Sequence, residues 1–364
     1  MLIVNFTAKL IIFVRLKRQT GELTFKIHLV ISMQLKKTNF HSFISSYFSR
    51  RVSLFTLITL LAFLLLSAAL KAQQPIFRHE EDSLRILSNL VYSSNVDSIK
   101  LDANSRFSGY LSEVLQKPGV FNWPFDSLSD IGCLKAPDNA FRIFNWNLPL
   151  NNGTFSYFGF ILIPGKRGDS NRVIPLRDRS DSITNAIKQV LPVSQWYGAL
   201  YYSILKQTWK KQQYYTLLAW DGYSPKSSRK IIDILTFDKS GQPQFGWPMF
   251  MTAEGTQTRV IIEYSRRATF LLRYDNQYLV TAQRRDGRPV TKKMGMIVFD
   301  RLVPVDPRFK GQFEYYVPSG ETYDAFIFNR GFWQMAEDVL VSNPSEKKKA
   351  KEVKPVEYNL FPPK

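Results

Sequence analysis

Short apolar strands separated by turn residues fill most of the chain, and they limit its possible folds more than any other feature. The clearest hairpin signal is Asn151-Asn152-Gly153, which separates Phe141–Asn147 from Phe155–Ile163. About a dozen such strands at short spacing predict a mainly β protein. The pattern favours an antiparallel multi-stranded sandwich, barrel or meander. A propeller-like meander is less favoured, because no fixed internal period is present.

The remaining strands are predicted from apolar runs on either side of turn residues. The predicted pairs are Leu200–Lys210 with Tyr214–Trp220, Ile231–Phe237 with Gln244–Phe250, and Gln312–Val317 with Thr322–Phe328 across Ser319-Gly320. A three-strand meander is predicted for Val260–Tyr264, Thr269–Tyr274 and Tyr278–Gln283. Asp286-Gly287 is predicted to form a turn before a further strand, Met294–Phe299.

Helical spacing of apolar residues precedes the β-rich part. One stripe contains Leu84, Leu87, Leu90 and Val91, and a second contains Phe107, Leu111, Val114 and Leu115. We expect helices over 79–117, ended by Pro118-Gly119 and buried against the rest of the protein. A further short helix is predicted before Pro192 from Ile183, Ile187, Val190 and Leu191. The predicted domains are a helical arm at 73–125, a β-rich domain at 126–343 and a disordered basic tail at 344–364.

The segment from Arg50 to Gln73 is typical of an export signal. Arg50-Arg51 precedes the apolar run Val52–Leu70, which Lys71-Ala72-Gln73 closes. Residues 33–72 therefore read as a cleaved signal peptide or as an uncleaved signal anchor, and both place the following chain outside the cytoplasm. Met33 begins a conventional signal sequence, so we expect residues 1–32 to be an extension upstream of the true start.

Histidine and cysteine are too scarce for several common enzyme classes. Only His79 follows the export segment, whereas a Ser-His-Asp or Cys-His hydrolase needs a histidine base and zinc hydrolases usually need two or more ligands. The single cysteine, Cys133, excludes an intramolecular disulfide and reads as a buried small hydrophobic residue. Nucleotide-binding glycine loops are missing. We therefore predict no cofactor and no metal, and a non-catalytic protein is favoured.

An enzyme of this composition would have to rely on two carboxylates, as glycoside hydrolases do. The favoured candidates are Glu263, which closes the apolar run Val260–Ile262, together with Asp300 and Asp221. Structural roles compete for the last two, because Asp300 precedes Arg301 and Asp221 precedes the turn residue Gly222. The other candidates are Glu254, Glu314, Glu321 and Asp324.

Aromatic residues are the positive signal for ligand binding. All seven tryptophans lie between Trp123 and Trp333, and exposed indole rings can stack on sugars. The alternative is that a large β core simply uses aromatic residues. Trp220, Trp247 and Trp146 are the predicted ligand-binding residues, because each lies at or near a strand end beside turn residues.

The charge of the chain indicates which partners to expect. The formal net charge is +19, and 39 basic against 29 acidic residues remain from Gln73 onward. Export makes nucleic acid an unsuitable partner and leaves a glycan or an envelope protein. Membrane contact is expected only through an uncleaved anchor. The basic hairpin from Arg284 to Arg288, with Lys292-Lys293, could bind an anionic polymer or lipid headgroup, or could simply keep the hairpin soluble.

Three stretches resemble uncharacterised secreted β-rich proteins of Bacteroidetes-type bacteria. They are Phe144–Asn147, Tyr215–Gly222 and Phe313–Pro318, and the Lys71-Ala72-Gln73 junction is similar as well. The resemblance covers most of 130–340 and implies a periplasmic, envelope-associated or secreted protein, without implying an activity. We expect a non-catalytic envelope protein that acts through protein or glycan contacts. The alternatives are a carboxylate-dependent glycan hydrolase and an envelope factor anchored by Val52–Leu70.

Overall fold

The computed structural model describes residues 11–19, 22–30, 77–166 and 169–339. The chain divides into two compact units, Met1–Gln74 and Pro75–Lys364. In the first unit, β1 (Ile11–Gln19) and β2 (Glu22–Val30) pair as an antiparallel hairpin. The predicted export segment at 33–72 and the predicted tail at 344–364 lie outside the described residues.

The second unit is mainly β, with two helices near its N-terminal end, and this confirms the predicted fold class. The helices are α1 (Arg78–Ser93) and α2 (Asp97–Gln116), where helical spacing predicted them. Beyond the end of α2, Gly119 has a φ of 85° in the left-handed region that glycine tolerates. No helix among the described residues has the length and apolar character needed to cross a membrane.

The first sheet lies under the two helices. Its antiparallel order is β3 (Gly132–Lys135), β4 (Arg142–Pro149), β5 (Phe155–Ile163) and β6 (Arg172–Arg177). The predicted turn at Asn151-Asn152-Gly153 joins β4 to β5. Phe107 and Leu111 of α2 pack with Phe144, Trp146 and Phe160 of this sheet. This core buries the apolar stripe of α2, and Leu84 of α1 packs into the same core.

The second sheet lies between the other two. Its order is β7 (Leu191–Pro192), β11 (Pro243–Phe245), β10 (Ser227–Phe237), β9 (Gln212–Asp221) and β8 (Leu200–Trp209), and β14 (Val260–Ser265) pairs with β10. Leu217 and Leu235 face the first sheet, whereas Leu218 and Ile232 face the third. Because both faces are covered, the central strands are continuous apolar runs without alternation.

The third sheet completes a stack of four layers. Its order is β13 (Gly255–Gln257), β12 (Phe250–Thr252), β18 (Phe332–Val339), β17 (Tyr316–Asn329), β16 (Pro289–Pro304) and β15 (Leu272–Gln283). β12 and β18 are parallel, and the other neighbours are antiparallel. Ile297, Phe299, Phe326 and Trp333 pack against the second sheet. All three sheets are open, so the chain forms stacked meanders.

Two predictions about local pairing are wrong. The expected meander from Val260 to Gln283 does not form, because β14 pairs with β10 while Leu272–Gln283 is one continuous strand. The expected hairpin across Ser319-Gly320 is also absent, because both residues lie inside β17. Residues 319–322 interrupt the register there, since Asp300 pairs with Tyr323 and Leu302 pairs with Pro318. The hairpin was predicted because Ser319 and Gly320 are typical turn residues, but here they lie inside a long irregular strand.

The short helix predicted before Pro192 is wrong as well. A 3₁₀ turn at Ala186–Lys188 and the extended strand β7 occupy this segment. Thr258 donates its backbone N–H to Ile187 O at 2.8 Å, and Leu191 packs into the core between the first two sheets. Of the four apolar residues at helical spacing, Leu191 is buried by tertiary contacts that need no helix, whereas Val190 is exposed. The β8–β9 hairpin, in contrast, is confirmed, with its turn at Lys210-Lys211.

Candidate functional site

Two of the three favoured carboxylates lie in one row across the second sheet. Asp221 of β9 and Glu263 of β14 are both register partners of Arg229 on β10. The Arg229 Nε and Nη2 atoms donate to Glu263 Oε2 at 3.0 and 2.9 Å, and Ser227 Oγ donates to Oε1 at 2.7 Å. Glu263 is thus held by an arginine and a hydroxyl, so its oxygen atoms are already bonded.

Asp221 lies at the other end of this row and is only 5% exposed. Its Oδ1 accepts a hydrogen bond from the Tyr157 hydroxyl at 2.9 Å and one from Tyr223 N at 2.8 Å. Burial raises the pKa of the Asp221 carboxyl above its ordinary value, although both hydrogen bonds and Arg229 oppose this effect. A buried carboxyl group with a raised pKa is typical of a general acid, but the Asp221 side chain has little access to solvent.

Tyr223 covers Arg229 from the solvent side. The guanidinium carbon lies 3.0 Å from the centre of the Tyr223 ring, and Arg229 Nη1 donates to Tyr197 Oη at 2.9 Å. Tyr223 itself is 45% exposed and has a φ of 28°, which is uncommon for a residue other than glycine. The row is therefore a closed network that joins three strands.

The other predicted carboxylates do not join this row. Asp300 lies in the third sheet, where its Oδ2 accepts a hydrogen bond from Leu271 N at 2.6 Å and burial raises its pKa. The predicted ion pair between Asp300 and Arg301 is replaced by one between Arg301 and Asp324 at 2.5 Å. Glu254 lies near Gln257, and Glu314 lies in a 3₁₀ turn. The side chain of Glu321 lies outside the described residues.

The three predicted ligand-binding tryptophans have different environments. Trp146 is 1% exposed, and its Nε1 donates to Asn104 Oδ1 at 2.6 Å inside the core beneath the helices. This burial leaves no ring face for a ligand and corrects the prediction for Trp146. Trp220 is half-buried with its ring edge against Phe155, at 5.4 Å between ring centres. Trp247 is 37% exposed and so offers a ring to solvent.

Trp247 belongs to a row of three aromatic residues at the rim between the second and third sheets. Its ring centre lies 5.9 Å from that of Tyr214. Tyr214 is opposite Gln207 in the β8–β9 hairpin, which places Trp209 diagonally across from it on the same face. Trp209 is 36% exposed and contacts the turn at Gly331, where even a Cβ atom would collide with the indole. We call Trp209, Tyr214 and Trp247 the aromatic row.

Trp209 was not among the predicted ligand-binding residues, although its position in the sequence meets the same criterion. It ends a strand beside the turn residues Lys210-Lys211, which is the criterion that selected Trp220 and Trp247. Both lysines have positive φ values, 48° and 67°, as a tight hairpin turn requires. Gln212 and Gln213 follow and are exposed. The aromatic row therefore lies beside ammonium and amide groups that can donate hydrogen bonds.

A pair of adjoining polar clefts is lined by β5 and β6 of the first sheet and by the segment 178–195. They have volumes of about 530 and 550 Å³ and share Arg179 and Ser182 in their linings. Asp178 shapes this region, because its Oδ1 accepts hydrogen bonds from Ser180 N, Ser180 Oγ and Gly198 N. Most of the lining side chains are serine, threonine, glutamine and arginine, and Tyr157 and Phe158 are the aromatic ones. The clefts lack paired exposed rings for stacking.

Comparisons with known proteins do not assign the chain to a family. No protein-family model, no curated protein and no solved structure gives a significant match. The resemblance to secreted β-rich proteins therefore stays a prediction. Across the described residues, no group of three or more histidine, cysteine, aspartate or glutamate side chains is arranged to hold a metal ion.

Proposed function

We propose that the protein is a non-catalytic envelope protein that binds glycans through the aromatic row. The observation that carries this proposal is the exposure of two indole rings, Trp209 and Trp247, that both neighbour the buried Tyr214. Such rings bury the apolar faces of sugar rings, while nearby donors can bind the sugar hydroxyl groups. Lys210, Lys211 and Gln212 supply such donors at the hairpin turn.

The anchoring of the row supports a binding role. Tyr214 packs in the core between the second and third sheets, and Trp209 is confined by the turn at Gly331. Rings held in this way lose little conformational entropy when a ligand stacks on them. The proposed location outside the cytoplasm depends on the segment Arg50–Gln73, and it agrees with a protein that meets glycans in the envelope.

The test is glycan binding by single variants of the row. The full chain is titrated with a panel of neutral and acidic polysaccharides, and Trp209→Ala and Trp247→Ala are compared with wild type. We expect each variant to weaken binding by about 2- to 12-fold, as the loss of one stacked ring predicts. Phe313→Ala is the matched control, because Phe313 is exposed but lies outside the row. Equal binding by all three variants would contradict the proposal.

A carboxylate-dependent glycan hydrolase is the second candidate function. The observation that favours it is the placement of Asp221 and Glu263 on either side of Arg229, with the pKa of Asp221 raised by burial. Two carboxyl groups in different environments are what this chemistry needs. Release of reducing ends from a polysaccharide that disappears in Asp221→Asn, while binding persists, would establish the enzyme. Binding without release would support the non-catalytic proposal.

A further inference from the structure

The aromatic row ends beside the polar clefts. Trp247 donates its backbone N–H to Thr258 O at 3.1 Å, and Thr258 Oγ1 donates to Gln189 O at 3.0 Å. Gly246, the residue before Trp247, lies so close to Gln189 that a Cβ atom on it would be 2.6 Å from the Gln189 carbonyl oxygen. Gln189 is exposed and lines one of the clefts. An extended ligand that stacks on Trp247 therefore has this cleft beside it.

Asp178 is one of two acidic residues that line the clefts, and both of its carboxylate oxygen atoms are already bonded. Oδ1 accepts hydrogen bonds from the backbone and hydroxyl of Ser180 and from Gly198 N, and Oδ2 accepts one from Tyr157 N at 3.2 Å. Asp181, the second acidic lining residue, is exposed. The carboxylate of Asp178 is thus used to hold the backbone around the clefts.

Two arginines of the clefts are available to an anion. Arg177 and Arg179 are exposed, and neither guanidinium forms an ion pair or a hydrogen bond with a described residue. Asp178 between them forms a β-bridge with Trp196, so the backbone is extended there and the two arginines project to the same side. A guanidinium presents a planar fork of donors that matches a carboxylate or a sulfate.

The other polar side chains of the clefts suit the hydroxyl groups of a sugar. Thr184, Ser194 and Gln195 are exposed in the cleft that Gln189 also lines. None of these three side chains is hydrogen-bonded to a described residue. Hydroxyl and amide groups both donate and accept hydrogen bonds, as sugar hydroxyl groups do. The clefts therefore combine hydrogen-bonding groups for sugars with two positive charges.

We propose that the polar clefts bind the carboxylate or sulfate groups of an acidic glycan whose neighbouring sugars stack on the aromatic row. This inference rests on the proposed function and assigns the glycan to the acidic class. Arg177 and Arg179 bind the anionic groups, while Ser194 and Gln195 bind hydroxyl groups. An exposed ion pair of this kind contributes up to about fivefold in affinity. The contribution falls as salt screens the charges.

The test uses pairs of polysaccharides that share a backbone and differ in charge. Polygalacturonate carries a carboxylate on each sugar, and its methyl ester lacks that charge. Dextran sulfate and dextran form the second pair, with sulfate as the anionic group. We expect the full chain to bind the charged member of at least one pair more tightly, and added salt to reduce the preference. Equal binding of charged and neutral members in both pairs would overturn this inference, and binding of no member would overturn the proposed function as well.

Two variants that lose the same charge locate the anion-binding groups. The cleft variant is Arg177→Gln/Arg179→Gln, and the control variant is Arg78→Gln/Arg267→Gln, which removes two exposed arginines elsewhere. We expect the cleft variant to lose about 3- to 20-fold in affinity for the charged polysaccharide and less than about 2-fold for its neutral partner. The control variant should lose less than about 2-fold for either. Equal losses in the two variants would reflect net charge alone and would overturn the inference.

Trp247→Ala separates this inference from the proposed function. It should weaken binding of the charged and the neutral polysaccharide by the same factor, because a ring stacks on a sugar whether or not the sugar is charged. If Trp247→Ala weakens binding while the cleft variant binds like wild type, the row binds glycans and the assignment of the clefts is wrong. If only the cleft variant weakens binding, the row is not a glycan site and both proposals fail. Unchanged thermal unfolding confirms that each variant is folded.

Discussion

Arg259 and Asp233 form an ion pair that is buried completely within the second sheet. Arg259 Nε lies 2.8 Å from Asp233 Oδ2, and the two side chains are 0% and 1% exposed. Arg259 Nη1 also donates to Ala186 O at 2.7 Å, and Asp233 Oδ1 accepts a hydrogen bond from Ile234 N at 2.8 Å. The pair therefore ties β10 to the irregular segment before β7 and to the residue that precedes β14.

Removing one member of this pair should destabilise the protein strongly. Arg259→Met leaves the Asp233 carboxylate buried without its cation, which costs about 3–5 kcal/mol in the free energy of unfolding. The double variant Asp233→Leu/Arg259→Met removes both charges, so it should recover a large part of that loss. Urea unfolding of the three proteins measures this. A single variant as stable as wild type would show that the pair is not charged in the folded state.

Substitution of Trp146 should cost much more stability than substitution of Trp247, although the sequence predicts the same role for both. Trp146→Ala opens a cavity in the core and leaves Asn104 without its donor, at a cost of about 3–5 kcal/mol in stability. Trp247→Ala removes a partly exposed ring and should cost less than about 1.5 kcal/mol. Thermal or urea unfolding measures both. Similar costs would contradict the assignment of Trp247 to a surface row.

The contrast between these tryptophans shows what the sequence could establish. The two N-terminal helices and strands such as β4, β5, β8 and β9 followed from local periodicity, and the turn at Asn151-Asn152-Gly153 was recognisable from residue type. Whether a tryptophan near a turn is buried depends on which layer covers it. Helix α2 covers Trp146, whereas the aromatic row lies at the rim between two sheets. The residues that neighbour Trp146 and Trp247 in the sequence do not distinguish these two environments.

The pairing of strands that lie far apart in the sequence could not be predicted either. β14 pairs with β10 rather than with the strand that follows it, and this pairing places Glu263 opposite Arg229. The sequence therefore identified Asp221 and Glu263 separately as candidate carboxylates but could not show that one arginine lies between them. The available signal was that Ile231–Phe237 does not alternate between apolar and polar residues, as is typical of a strand covered on both faces.

The stability of the protein should depend on the ionisation of Asp221. Burial raises the pKa of Asp221 in the folded state above the unfolded value. The neutral form therefore stabilises the fold at low pH, and this contribution is lost as the pH rises through the folded pKa. Asp221→Asn cannot ionise, and its Oδ1 can still accept from Tyr157 and Tyr223. Relative to wild type, this variant should therefore be more stable at pH 7 than at pH 4.

Urea unfolding at the two pH values measures this difference. Tyr157→Phe provides an independent check, because it removes the hydroxyl that donates to Asp221 and so further disfavours the carboxylate. We expect this variant to lose more stability at pH 7 than at pH 4. The same difference from wild type at both pH values, in both variants, would mean that Asp221 does not change its ionisation in this range.

Cys133 should be unreactive in the folded protein. It lies on β3, paired with Phe144, and packs against the core beneath the helices. Burial of the thiol raises the pKa of Cys133 to about 12, and the thiolate is the reactive form. Alkylation by iodoacetamide at pH 8 should therefore be at least about 100-fold slower in the folded protein than in urea. Because the chain contains one cysteine, the mass of the labelled protein reports this site alone. Equal rates in the two conditions would mean that β3 does not shield the thiol and that the first sheet opens on the timescale of labelling.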